Sequence, residues 1–458
     1  MNAPCVDQPI ASPAQPEDLF SAEQTAAPRP APRLRQPDRS GLCLDVPLDD
    51  LLPDDDVARL LWDLAQPLDF SPWYDDIKAV QGQPGRDAND PRLLFVLWLQ
   101  ATLDGVRSAR KLRRLCYRHL SYIWLRGNVS VNYHSLASFR SRHPQPLEQL
   151  LTQTVAAMAA EGLIDLEVTA QDGLRIRASA GAGSFRRRAT LEESQHKAQQ
   201  YMEQLEQSQD DEVTPRQAAA RRRHARERLQ RVNGALEHLG QIEQQREEHL
   251  RPDQEQTRAK QPPRASTTDP ECRKMKMPDG GYRPAFNAQL NTAAHGGVIV
   301  GVEVINAGND YGQAEPMLQQ TEESYGQLPD EHLVDGGFAR LEEIERIEQK
   351  YPQTKLYAPV RDAAKQEAAG KDPYAAKKGD KPGVVAWRAR MGSEAGKQKY
   401  KQRAATAEWA NAQLRNRGLY QVTVRGLAQV KAVVLLYALA HNFTRWIALR
   451  QAALAKAS

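Results

Sequence analysis

The sequence predicts a mixed α/β protein: a helical N-terminal part, then a strand-rich core interrupted by a long helical hairpin. Three observations lead there. Residues 41–162 carry apolar side chains at helical spacing between helix-start and helix-stop residues. From Ser266 the apolar period becomes two, with Phe286, Ala288 and Leu290 in one run and Val298, Val300 and Val302 in the next. Between these parts, Ser184 to Arg264 is rich in Gln, Glu and Arg and keeps Leu229, Val232, Leu236 and Leu239 at three- and four-residue spacing.

In the helical part, Pro53-Asp54-Asp55-Asp56 opens a helix at Val57, and Asp90-Pro91 opens another with Pro at its first position. Arg107 to His119 is a basic amphipathic helix carrying Arg110 and Lys111, and Leu120 to Arg126 is a short one. Asn132 to His143 places Leu136 and Phe139 on one face and Arg140 and Arg142 on the other, and a last helix runs to about Glu161. This series fits either a helix-turn-helix DNA-binding module or an ordinary bundle with a charged exterior. Residues 1–40, rich in Pro, Ala, Gln and Ser, read as a disordered leader.

The core opens with Leu163 to Leu166 running into Gln171-Asp172-Gly173, a strand expected to end at the carboxylate. The insertion, 184–264, reads as a two-helix coiled arm with its turn at Asp210 to Pro215. Its arginines (Arg216, Arg221, Arg222, Arg223, Arg226, Arg228, Arg231) either grip DNA or form a solvated face. Gly296-Gly297 signals a hairpin between Tyr282–Ala293 and Gly297–Ile305. A helix over Gln313 to Tyr325, a second strand-to-carboxylate pattern at Asp335, a helix over Ala339 to Gln349 and a strand at Lys355 follow. Lys365 to Pro382 reads as a mobile loop, Gly396 to Gly418 as one helix carrying Glu408, and Val430 to Leu449 as a buried core helix rather than a membrane span.

The chain has 458 residues and a formal net charge of +4, so charge alone names no partner. Its four cysteines have no short spacing, which argues against a zinc ribbon or a disulfide framework. The first residues have no basic n-region and no apolar h-region, so no signal peptide is read, and a cytoplasmic, nucleoid-associated location is expected.

The order of elements matches the ribonuclease H-like layout, in which the first and fourth strands lie side by side. Two carboxylates at their ends would meet there, and a late helix would bring a third. Such acids repel one another unless oxygen-preferring cations neutralise them. Asp310 follows the third strand and could point into the site, although a turn role suits Asn309-Asp310 better; Asp269 and Asp279 sit in turn contexts, and Glu394 is a weaker candidate for the third acid.

The sequence resembles the DDE transposases of bacterial insertion sequences, in the group with a helical N-terminal domain and a large insertion after the first catalytic Asp. The resemblance rests on Asp90-Pro91-Arg92-Leu93-Leu94, Gly105 to Leu112 and Ser135-Leu136-Ala137-Ser138-Phe139-Arg140. In the core it rests on Gln171-Asp172-Gly173, Asn309-Asp310-Tyr311-Gly312-Gln313 and Val334-Asp335-Gly336-Gly337-Phe338. Near the end it rests on Tyr400, Arg403 and Glu408 with Arg415, then Arg425-Gly426-Leu427 and Leu439-Ala440-His441-Asn442.

It implies that residues 41–162 bind DNA through residues such as Arg110, Lys111, Arg140 and Arg142, and that 163–450 form the catalytic domain. It implies that Asp172, Asp335 and Glu408 hold magnesium or manganese, with two ions roughly 3.5–4 Å apart serving an in-line phosphoryl transfer. Tyr400, Arg403 and Arg415 would hold the scissile phosphate or the transposon end. DNA ends and target DNA are the implied partners, with a homodimer in the active complex, no membrane and no small-molecule cofactor. The competing readings are a DNA-binding relative that has lost catalysis and a ribonuclease H-like nuclease that joins no strands.

Overall fold

The computed structural model describes residues 31, 33–40, 42–43, 46–82, 84, 86–207, 214–248 and 262–457. The leader up to residue 30 and most of the expected arm turn lie outside the described residues.

The N-terminal helices are α1 (Val57–Ala65), α2 (Pro91–Leu103), α3 (Ala109–Leu115), α4 (Leu120–Arg126), α5 (Tyr133–Arg142) and α6 (Pro144–Ala160). The cap residues read from the sequence act as caps. Asp56 accepts from Ala58 N–H, Asp90 from Arg92 N–H, and Asn132 from Ser135 N–H. Part of the expected leader is packed. Leu34–Arg35 pairs with Ala88–Asn89, and the Arg39 guanidinium lies 3.9 Å from the Trp62 ring centroid and 4.4 Å from that of Trp124. Two aromatic faces for one cation override the low apolar content of that segment.

The core sheet has six strands: β1 (Val168–Arg177), β2 (Arg273–Lys276), β3 (Tyr282–Ala293), β4 (Ile299–Ile305), β5 (Glu331–Leu333) and β6 (Lys355–Tyr357). The order is β4-β3-β1-β5-β6, with β2 paired to the start of β3. β3 runs antiparallel to both of its neighbours, β4 and β1, and β5 and β6 run parallel to β1. The β3–β4 turn uses Gly296 at φ 83° and Gly297 at φ 65°, backbone open to glycine at little cost.

One expectation about β1 is corrected. It does not end at Asp172 but continues to Arg177, because the long β3 pairs with it from Thr169 to Arg177. Asp172 therefore sits mid-strand, opposite Leu290.

The inserted arm is α7 (Arg188–Gln207) against α8 (Pro215–Glu248). Leu191, Ala235 and Leu239 are buried in its seam, and the arm arginines at 216, 222, 223, 226 and 228 are exposed. His238 ties the arm base to the sheet through Asn306 at 3.2 Å.

Helices α9 (Ala314–Tyr325) and α10 (Leu341–Lys350) follow the expected pattern. The expected loop at 365–382 contains α11 (Ala363–Ala368) and leads into α12 (Pro382–Gly392), whose Trp387 is buried and donates to Ala358 C=O. The Lys and Gly content hid these turns. The expected helix over 396–418 is α13 (Glu394–Arg403), a π-helical turn (Ala404–Glu408) and α14 (Trp409–Asn416).

The last helix, α15 (Leu427–Ala457), is long and apolar enough by composition to cross a membrane, yet 72% of its most apolar window is buried inside the protein. It packs on the N-terminal helices and on β4, so the helical part and the sheet share one hydrophobic core across residue 162. Asn442 bonds both the N–H and the C=O of Ile299 on the edge strand, at 2.9 and 2.7 Å, satisfying backbone groups that have no neighbouring strand. His441 donates to Gly297 C=O at 2.8 Å. Both residues are core hydrogen-bonders, as their place on an apolar helix suggests.

Candidate active site

Asp172 and Asp335 meet at the centre of the sheet. The parallel register pairs Leu333 with Ala170, so two residues further on each chain the carboxylates stand level. Each is fixed by a local N–H: Gly173 N–H donates to Asp172 at 2.8 Å, and Gly337 N–H to Asp335 at 2.7 Å.

Burial pushes the Asp172 carboxyl up to about 6, and the neighbouring Asp335 carboxylate adds to that; Arg403 and the Gly173 N–H act against it. Burial also raises Asp335, with Asp310 adding, while the Gly337 N–H, Arg403 and Arg175 oppose. Two acids held this way favour neutralisation by a cation.

The internal cation is Arg403. Its guanidinium bonds Glu408 at 2.6 Å and lies close enough to Asp172, Asp335 and Tyr400 to feel all of them. Burial works against its charge, but Tyr400, Asp172, Glu408 and Asp335 together hold its pKa above the ordinary value.

The π-helical turn explains the arrangement. The extra residue in the turn lets it pack on β1 and β3, a device frequent at functional sites. It leaves Glu408 exposed and turned to Arg403, and seats Asn411 over the strand, where Nδ2 donates to Asp172 Oδ2 at 2.8 Å. So the structure brings Asp172, Asp335, Arg403 and Tyr400 together, with Glu408 on their rim through Arg403. Among the described residues, no group of three or more Asp, Glu, His or Cys side chains is arranged to hold a metal ion as it stands.

The alternative third acid, Glu394, is exposed and pairs with Lys397 instead. Arg415 is exposed on α14. In the N-terminal helices Arg110, Lys111 and Arg142 are exposed. Arg140 is engaged inside the protein: it donates to Arg107 C=O and to Thr423 Oγ1 and lies over the Trp98 ring.

Two residues beyond those read from the sequence belong here. Asn411 lies one helical turn after Glu408, and that spacing was the available signal. Asp310, whose sequence context favours a turn role over one in the site, points its carboxylate at Gly173. A Cβ on Gly173 would stand 2.2 Å from Asp310 Oδ1, so the glycine is needed for close approach rather than for a turn. Asp279 does serve a turn, accepting from Gly281 N–H. Asp269 is fully buried and accepts from Gly426 N–H ahead of α15.

Two family matches bear on this geometry. Residues 46–142 match the family described as Transposase domain (DUF772), and residues 382–447 match the one described as Transposase DDE domain. The second match spans Tyr400, Arg403, Glu408 and Arg415. Together the two matches indicate a DDE-type insertion-sequence transposase. Searches of curated proteins and of solved structures returned no match.

A divalent cation fits the residues that the transposase places here. The donors around Asp172 are all oxygens: three carboxylates, and the Oδ1 atoms of the buried Asn287 and Asn411, which have no hydrogen-bond partner. Gly173 and Gly337 line the spot with no side chain, and a Cβ on either would fill it. Oxygen donors in a water-reachable cradle suit magnesium or manganese rather than a soft metal.

Proposed function

We propose that this transposase binds the ends of its element, cuts DNA there and joins the ends to a target by metal-dependent phosphoryl transfer. The observation that carries the reading is the level placement of Asp172 on β1 and Asp335 after β5, with the π-helical turn of the Transposase DDE domain match packed on β1 and β3. The strand order β4-β3-β1-β5-β6, with β3 running opposite to the other four, supports assigning the core to the ribonuclease H-like layout.

Asp172 and Asp335 would hold the cations, with Glu408 joining from the rim. When bound, magnesium or manganese supplies Lewis acidity to the attacking and leaving oxygens of an in-line displacement. The chain's own residues do the rest. Arg403, partly buried and already paired with carboxylates, turns its guanidinium to a phosphate oxygen once those charges are neutralised. Tyr400, packed beside Arg403, limits water access on that side. Asn411 fixes which Asp172 oxygen faces the site. Exposed Arg110, Lys111, Arg142 and Arg415 contact the DNA backbone. Pairing two ends calls for a homodimer, and the reaction takes place on DNA in the cytoplasm.

Product analysis tests this reading. Purified protein, magnesium and DNA bearing the sequences that flank the reading frame should yield molecules in which an element end is joined to target. Cleavage with no joined product identifies a nuclease, and binding with neither product identifies a relative without catalysis.

A further inference from the structure

Asp310 is a carboxylate held by two side-chain donors, and a turn does not account for that. Its loop is held at both ends. Arg175 of β1 donates to Gly308 C=O at 3.1 Å, and the buried Glu343 accepts from Gly312 N–H at 2.8 Å and Ala314 N–H at 3.2 Å.

The carboxylate itself is clamped through one oxygen. Asn287 Nδ2 and Gln289 Nε2 both donate to Asp310 Oδ1, at 2.7 and 2.6 Å. Gln289 is the end of a buried relay with one direction. Thr169 Oγ1 donates to His332 Nδ1, His332 Nε2 to Gln171 Oε1, and Gln171 Nε2 to Gln289 Oε1. A buried polar chain of this length is favourable only when every link is made, and its last donor is spent on Asp310.

The second oxygen faces Asp335. Oδ2 of Asp310 lies 3.4 Å from where a Gly337 Cβ would be, and Asp335 Oδ1 lies 2.8 Å from the same point. An independent observation, on the Gly173 side of the same carboxylate, marks the space around Asp310 as a ligand position. Asn287 is fully buried, yet its Oδ1 has no partner and lies 2.9 Å from the space a Gly173 Cβ would take. A buried carbonyl oxygen without a donor is unfavourable unless something electropositive reaches it.

We propose that Asp310 is a carboxylate ligand of the transposase's cation site, completing with Asp172 and Asp335 a set that Glu408 approaches only from the rim. This rests on the reading of Asp172 and Asp335 as cation-binding acids. Gly173 is the window that lets a side chain from the loop after β4 reach the pair through β1. The clamp on Oδ1 leaves Oδ2 as the coordinating atom, which is how supporting hydrogen bonds orient carboxylate ligands.

The test is manganese binding to the full chain, read as loss of the free-ion electron paramagnetic resonance signal, with no DNA present. Wild type, Asp172→Asn, Asp310→Asn and Asp279→Asn are compared, the last being an acid in an exposed turn. Asp310→Asn and Asp172→Asn are each expected to weaken binding about tenfold or more, and Asp279→Asn to leave it unchanged. If Asp172→Asn weakens binding and Asp310→Asn does not, Asp310 only holds its loop and the proposal is overturned while the active-site reading stands. If wild type takes up no manganese, both fall. Should Asp310→Asn fail to fold, Gln289→Met reads the same point. It keeps the carboxylate but removes one clamp, so a severalfold weaker affinity supports the proposal and an unchanged one overturns it.

Discussion

Asn411 Nδ2 donates to Asp172 Oδ2 at 2.8 Å, joining residues 239 apart in the chain. Through this bond the helix after the π-helical turn reads the position of the first strand. A hydrogen bond to a charged group contributes about 1.5–3 kcal/mol, so Asn411→Ala is expected to lower unfolding stability by that order. It also frees the carboxylate to rotate, so DNA cleavage should fall at least as far as Asp172 is misplaced. Urea unfolding together with a cleavage assay checks this. Unchanged values in both would mean the bond orients nothing.

Gly173 faces Asp310, not solvent. Gly173→Ala puts a methyl where Asp310 Oδ1 now lies, and the strand backbone on either side is paired and cannot yield. Overpacking of this kind typically costs about 1–3 kcal/mol. The variant is expected to melt several degrees lower, measurable by differential scanning calorimetry, whereas a glycine needed only for a turn outside the sheet would tolerate alanine at the allowed backbone angles.

Asp172 carries a charge that folding has to accommodate. Its folded pKa, about 6, lies above the ordinary 3.8. Between those values the unfolded chain has released the proton and the folded chain has not, so stability falls as pH rises and the loss is complete above about 6. Allowing for solvent screening, the effect is on the order of 1–2 kcal/mol. Asp172→Asn in a chelator is therefore expected to be more stable than wild type at pH 7.5, with the gap closing below pH 4. Saturating magnesium should raise the wild type and leave the variant unmoved. Thermal melts at both pH values decide it.

His441 gives the opposite sign. It is buried, donates from Nε2 to Gly297 C=O and faces Arg417 and Arg445, with the Trp409 ring 5.3 Å away. Burial, then the two arginines, pull it down to about 4 against the help of the Gly297 bond. A folded pKa below the unfolded one gives stability that is full above about 6.5 and lost as pH falls toward 4, about 3 kcal/mol at most. His238, also held to about 4 by burial and Arg273, adds to the same window. The urea midpoint should drop between pH 7 and pH 5, and His441→Gln should flatten that drop. A drop of the same size in the variant would assign it to other groups.

Much of the fold was legible in the sequence because its signals are local. Caps at Asp56, Asp90 and Asn132 and the Gly296-Gly297 turn act within a few residues, so each could be placed before any tertiary contact was known. The meeting of Asp172 with Asp335 was legible through the order of elements. What was not legible depends on partners far along the chain. Asp310 has the local chemistry of a turn, and only its meeting with Gly173, more than a hundred positions upstream, gives it another meaning. The π-helical turn leaves no compositional trace, so Asn411 was missed and Glu408 was expected to face both aspartates rather than Arg403. Residues 33–40 look like leader by composition and are held by Trp62 and Trp124.

The central claim is that the paired aspartates carry out cleavage. The most direct measurement is magnesium-dependent nicking of DNA that contains the element ends, by purified wild type, Asp172→Asn and Asp335→Asn, each shown to be folded and to bind that DNA. Wild type is expected to nick only with the divalent ion, and either substitution to reduce nicking by a factor of a hundred or more while binding is retained. Nicking at the wild-type rate by Asp172→Asn would contradict the account.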